Sequence, residues 1–142
     1  MIPKIIHYCW FGQKKLPKDI IKYIDSWKKY CPDYKIIEWN EKNFDINTNQ
    51  WTKQAYESGK YAFVSDYVRL NAMYEYGGIY FDTDIELIKN IDNFLDCKVL
   101  LGFEGNDSAI GTGMMGFEKG NNFLKELLEE YKYKKFKKIM ES

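Results

Sequence analysis

Gly77-Gly78-Ile79-Tyr80-Phe81-Asp82-Thr83-Asp84 is the stretch on which the fold turns. Paired glycines let a preceding helix stop and the chain reverse. Ile79-Tyr80-Phe81 reads as a short inner strand. In an extended segment the side chains at i and i+2 share a face. Asp82 and Asp84 are therefore expected to project together off the strand's end, with Thr83 turned away. Two carboxylates held that close repel unless a cation sits beside them. Hard oxygen ligands suit Mg²⁺ or Mn²⁺, which keep other positions open for water or phosphate oxygens. The simplest chemistry for such a site is departure of a phosphate or diphosphate, whose growing charge the cation offsets. A lone Asp-x-Asp is common and mostly marks a solvated turn. What gives this one weight is its place after a helix stop and a strand, because open α/β sheets put ligand sites at the carboxyl ends of their strands.

Upstream of the octet, Tyr61–Tyr76 reads as a helix, with Phe63, Tyr67, Leu70 and Tyr74 in one stripe and Val64 and Val68 beside it. Lys4–Phe11, closed by Gly12, reads as the first strand. Pro17 opens a helix whose apolar positions are Ile20, Ile21, Ile24 and Trp27, and which stops before Pro32. Tyr34–Trp39 follows as a second strand. Glu41–Thr52 is polar and Asn-rich, hence a loop, and Trp51–Ser58 a short helix. Downstream, strands are expected at Ile85–Ile88, Lys98–Glu104 and Ala109–Phe117, with a turn through Asn90–Leu95. A terminal helix is expected from Asn122 to Ile139. Strands alternating with helices imply an α/β fold with a mostly parallel central sheet. The 142 residues suit one domain, 1–142.

The bulk composition narrows the function classes. Aromatic residues make up 18% of the chain, enough bulk for a core. Twenty-one basic against 21 acidic residues leave no net charge, which argues against nucleic acid as a partner. Three cysteines, Cys9, Cys31 and Cys97, are an odd number without metal-ligand spacing and point to free thiols in a reducing compartment. The N-terminus lacks a signal-peptide pattern and no apolar run is long enough to span a bilayer. A cytoplasmic protein is expected. Tyr131–Lys138 interleaves five lysines with three aromatic residues. A solvated helix end accounts for most of this; a peripheral contact with anionic lipid at the inner face of the membrane is the alternative.

Two further groups bear on a site. Asp66 and Arg69 are neighbours on one face of the long helix. They form either an ordinary intrahelical ion pair or the edge of the same cleft, where Arg69 meets a phosphate or sugar hydroxyl. His7-Tyr8-Cys9-Trp10-Phe11-Gly12 closes the first strand. In the simpler reading His7 is a satisfied core residue; in the other, Trp10 and its neighbours stand where a ring can stack on a nucleobase.

Taken together these stretches resemble glycosyltransferase family 32, the sugar-binding-region enzymes with a DXD motif, to which the glucosylating domain of large clostridial toxins is related. The matching segments are Ile2–His7 with Trp10-x-Gly12, Ser26-Trp27, Pro32-Asp33-Tyr34, Trp39-Asn40, and the run Ala62–Leu70 continued by Tyr74–Asp84. The resemblance implies a GT-A-type, Rossmann-like fold and a UDP- or GDP-sugar donor with Mn²⁺ or Mg²⁺. It also implies a glycan or lipid-linked glycan acceptor in surface polysaccharide synthesis, and transfer with retention. By position it makes Asp82 and Asp84 the metal ligands and, with Arg69, the catalytic set. It makes Cys9, Trp10, Phe11, Asp66, Arg69 and Tyr80 donor contacts, with Thr112 in place of an Asn that many relatives carry. No obvious nucleophile for a covalent intermediate is present; Glu104 is a candidate only by elimination. The family usually has a further C-terminal stretch that supplies a third metal ligand and much of the acceptor site. Its absence here is expected to spare donor binding more than transfer, which leaves a nucleotide-sugar-binding remnant or regulatory protein as the rival reading. A haloacid-dehalogenase-type phosphatase also uses a strand-borne Asp-x-Asp, but Glu86 stands where that class needs Thr or Val.

Overall fold

The structure, a computed structural model, describes residues 1–103 and 110–136, with the backbone alone at 102, 103 and 110–112. Five strands form one open sheet. They are β1 (Ile5–Cys9), β2 (Lys35–Trp39), β3 (Gly78–Phe81), β4 (Val99–Phe103) and β5 (Ile110–Phe117), in the order β2-β1-β3-β5-β4. β1 pairs in parallel with both β2 and β3, while β5 runs antiparallel to β3 and β4. Four strands thus share a direction and β5 opposes them. The mostly parallel sheet expected from the βαβ pattern is present.

Helices α1 (Lys18–Tyr30), α2 (Gln50–Glu57), α3 (Tyr61–Tyr76) and α4 (Asn122–Tyr131) cover the sheet. The strands alternate as a sheet buried on both faces must. Ile6, Tyr8, Ile79 and Phe81 face a core with Ile24 and Trp27 of α1. Cys9, Tyr80, Met115 and Phe117 face the opposite core with α2, α3 and α4. Val64, Val68, Ala72 and Met73 are the buried face of α3. Phe63, Tyr67, Leu70 and Tyr74, the stripe singled out above, are only partly buried and pack against the same core. Because α3 has apolar neighbours on several sides, no single stripe marks its inner face.

His7 is fully buried on β1. Its Nε2 lies 2.8 Å from the Gly77 carbonyl oxygen, and its Nδ1 accepts from the Trp39 indole N–H at 3.0 Å. With one nitrogen accepting and the other facing a carbonyl, only the neutral imidazole with its proton on Nε2 satisfies both. Burial accordingly lowers its pKa. This is the satisfied core histidine of the simpler reading.

The glycine pair acts as expected. Gly77, at φ 68°, ends α3, and a side chain there would stand 2.7 Å from the Lys119 backbone nitrogen. Gly78, at φ 119°, lets β3 approach β1; a Cβ would lie 2.6 Å from the Ile5 carbonyl oxygen.

Several boundaries differ from the sequence reading. β1 ends at Cys9, two residues early, because Gly12 (φ 104°) and Gln13 (φ 61°) bend the chain away. β2 begins at Lys35. The polar loop contains a 3₁₀ turn at Ile46–Thr48, and α2 starts at Gln50 because the Asn49 side chain accepts from Thr52 N. Ile85–Ile88 is not a strand. Its backbone groups bond to α1 instead of to a neighbouring strand: the Trp27 indole N–H donates to Ile85 O at 2.8 Å, and Leu87 N donates to Ser26 Oγ at 2.9 Å. α4 ends at Tyr131, with a turn following at Lys132 and Tyr133; the last part of the expected helix, 137–139, lies outside the described residues.

Candidate functional site

The ends of β1 and β3 and one face of α3 enclose a cleft of about 540 Å³. Cys9, Trp10 and Phe11 enter it as β1 finishes, with Lys14 from the bend that follows. Ser65 and Arg69 face it from α3, one turn apart, with Tyr61 and Ala62 at the start of that helix. Tyr80 of β3 forms the floor, and Asp82, Thr83 and Asp84 form one rim.

The three rim residues correct the extended-strand argument. β3 stops at Phe81, and Asp82–Asp84 lie on a turn closed by Ile85 N donating to Asp82 O at 3.2 Å. Side chains on a turn do not alternate, so Thr83 borders the cleft together with both carboxylates. β5 steadies the turn: Asp82 N donates to Gly113 O at 2.7 Å. A side chain at residue 113 would meet Asp82 Oδ2 at 3.2 Å, so glycine there keeps the carboxylate in place.

Arg69 is the hub of the site's electrostatics. Its Nη2 lies 3.3 Å from Asp66 Oδ1 and 3.8 Å from Asp82 Oδ1. The guanidinium carbon sits 4.5 Å from the centre of the Tyr80 ring, and Nε donates to Ser65 O at 3.2 Å. The side chain is only 10% exposed, so it is held on several sides before any ligand arrives. Asp66 does pair with Arg69, but it touches the site through that residue and does not line the cleft itself. Burial raises the Asp66 pKa, and Arg69 opposes the shift. Burial pushes the Cys9 thiol up to about 12 and the Tyr80 hydroxyl well above its ordinary range. Neither is a base or nucleophile near neutrality.

Of the expected site residues, the structure therefore brings Cys9, Trp10, Phe11, Arg69, Tyr80, Asp82 and Asp84 into one cleft. The Thr112 side chain and Glu104 lie outside the described residues. Sequence reasoning missed Lys14, Tyr61, Ala62, Ser65, Thr83 and Gly113. Counting back from Arg69 in steps of four gives Ser65 and Tyr61 directly; nothing local marks Lys14 or Gly113.

Among the described residues no group of three acidic, His or Cys side chains surrounds a cation position. Asp82 and Asp84 nonetheless fit one. They are hard oxygen donors on a part-exposed turn beside a cavity, which suits an ion that takes most of its ligands from water and a phosphate-bearing substrate.

An open α/β sheet with an Asp-x-Asp turn at the carboxyl end of an inner strand is the arrangement expected of the GT-A class. Within it, residues 17–100 match the family described as glycosyltransferase sugar-binding region containing DXD motif, and the chain belongs to that family. It is 30% identical over 131 residues to inositol phosphoceramide mannosyltransferase 3 of Schizosaccharomyces pombe, covering 89% of this chain and 36% of that protein. It is 26% identical over 122 residues to the initiation-specific alpha-1,6-mannosyltransferase of Candida albicans, covering 79% and 32%. The chain spans about a third of the length of these relatives. The solved structure of PaToxG glycosyltransferase superposes with a TM-score of 0.70 at 22% identity, over 90% of this chain and 58% of that one, which supports the fold.

Proposed function

We propose that the chain binds a nucleotide-sugar donor together with Mn²⁺ or Mg²⁺ and transfers the sugar, with retention, to a glycan or lipid-linked glycan acceptor. The observation that carries this is the sharing of one cleft by the Asp82–Asp84 turn, Arg69 and the Trp10 ring. Asp82 and Asp84 would hold the cation, whose charge supports departure of the nucleoside diphosphate. Arg69, fixed by Asp66 and Tyr80, presents its N–H groups to a phosphate or sugar hydroxyl. The Trp10 indole N–H donates to Lys14 O at 2.7 Å, which fixes the ring as a platform for a base. In a front-face retaining displacement the acceptor oxygen would bond to the anomeric carbon as its bond to the diphosphate breaks, with the hydroxyl proton passing to the leaving diphosphate, so that no strong protein base is needed.

The names of the two relatives make mannose the first sugar to test. A cytoplasmic setting in surface polysaccharide synthesis belongs to the same proposal, as does a peripheral lipid contact through the lysines near Tyr133, which is 85% exposed. Incubation with UDP- and GDP-hexoses and Mn²⁺, following nucleoside diphosphate release, tests the transfer. Release that disappears in Asp84→Asn supports it. Tight donor binding without release, on any acceptor, would favour the donor-binding reading without transfer.

A further inference from the structure

A second cavity of about 320 Å³ meets the cleft at Trp10 and Lys14. Its remaining walls come from Gln13, from Glu38 of β2 and from Asn40, Glu41 and Lys42, which follow that strand. The sheet order explains its position. β2, β1 and β3 are consecutive, so their carboxyl ends carry, in sequence across the edge, Glu38–Lys42, Trp10 and the Asp82–Asp84 turn. Strands stand roughly 4.8 Å apart. A nucleoside diphosphate laid across this edge, with its phosphates at the Asp turn and its base on Trp10, brings the far edge of the base over the end of β2.

The polar groups waiting there are selective. Both Glu38 oxygens are used: Oε1 accepts from Tyr8 Oη–H at 2.8 Å and Oε2 accepts from the Asn40 amide. Glu41 differs. Its Oε2 accepts from Gly12 N at 2.6 Å and from the Tyr56 hydroxyl at 2.9 Å, while Oε1 accepts from no described residue. The same two bonds anchor the carboxylate to the bend that carries Trp10, so it is held in place without a ligand. A carboxylate only accepts hydrogen bonds. Guanine offers the open Oε1, with its two lone pairs, two adjacent donors, N1–H and N2–H₂. Uracil offers a single N3–H between two carbonyl oxygens, which a carboxylate repels. Lys14 and Lys42 at the same cavity supply ammonium donors for the guanine O6 and N7 acceptors.

We infer that this cavity is a base-reading pocket and that Glu41 sets the donor as a guanosine rather than a uridine diphosphate sugar. The inference rests on the nucleotide-sugar reading above and adds the base to it. The test measures dissociation constants of GDP, UDP, ADP and IDP with Mn²⁺ by calorimetry. Hydrogen bonds to a charged group contribute about 1.5–3 kcal/mol, so GDP is expected to bind roughly 10- to 100-fold more tightly than UDP. IDP, which lacks only the 2-amino group, is expected to lose about tenfold relative to GDP, and this comparison needs no variant. Glu41→Gln should weaken GDP by about tenfold or more while changing UDP less than about threefold; UDP binding then reports that the variant is folded. UDP or ADP binding as tightly as GDP overturns the base assignment and leaves the nucleotide site standing. Binding of none of the four overturns both.

Discussion

Replacing Arg69 by Met removes the guanidinium and keeps most of the buried stem, which separates the residue's electrostatic role from its packing. Asp66 and Asp82 are 43% and 38% exposed, so each pair is screened and contributes at most about 1 kcal/mol. The contact with the Tyr80 ring adds about 0.5–2 kcal/mol. Loss of about 1–3 kcal/mol in urea unfolding is expected, within the stability of an ordinary domain. Donor binding should suffer far more, by about 100-fold, because charge-assisted bonds to phosphate or sugar go with the guanidinium. Arg69→Lys keeps the charge but not the planar fork and should fall between. Calorimetric titration of nucleotide into folded Arg69→Met reads both quantities. Unchanged affinity would refute the placement of Arg69 in the donor site. Complete unfolding would show instead that it is a structural keystone.

Three further outcomes follow from the same structure. The single histidine, His7, has a folded-state pKa below its unfolded value. Its contribution to stability is therefore complete above about pH 6.5 and is lost as pH falls from there towards the folded pKa. Urea midpoints at pH 7.5 and 5.5 should show the decline, and NMR of the ring nitrogens should show the imidazole protonating at lower pH in the folded protein than in the urea-unfolded chain; an equal or higher midpoint in the folded protein would contradict this. Gly78→Ala combines a positive φ with a 2.6 Å approach to Ile5 O and should cost about 2 kcal/mol or more, read as a lowered urea midpoint. All three cysteines are free, but Cys9 is buried with its pKa pushed up to about 12. A thiol reagent at pH 8 should label Cys97 in the folded protein and reach Cys9 only after denaturation.

Much of this architecture was legible in the sequence because its signals are local. Glycines at 77 and 78 mark both a helix stop and a close strand approach, and the α3 boundaries at Tyr61 and Tyr76 coincide with those read from pattern alone. The paired carboxylates and Arg69 could be placed in one cleft because helix α3 and strand β3 are joined by a single residue. What could not be read depends on partners distant in the chain. Ile85–Ile88 has the composition of a strand, yet Ser26 and Trp27, about 60 residues away, take its backbone groups. The inward placement of Thr83 follows from a turn that Gly113 helps to hold. Glu41 looks like ordinary loop polarity until Gly12 and Tyr56 are seen on its carboxylate.

The most direct test of the central claim is thermal melting with nucleoside diphosphates, with and without Mn²⁺, in the natural chain and in Asp84→Asn. A ligand at 100 times its dissociation constant stabilises by about 2.7 kcal/mol, or roughly 5–10 °C for a chain of this size. The account predicts a Mn²⁺-dependent rise of that order with at least one nucleotide, abolished in Asp84→Asn. An equal rise in the variant, or none with any nucleotide, would contradict it.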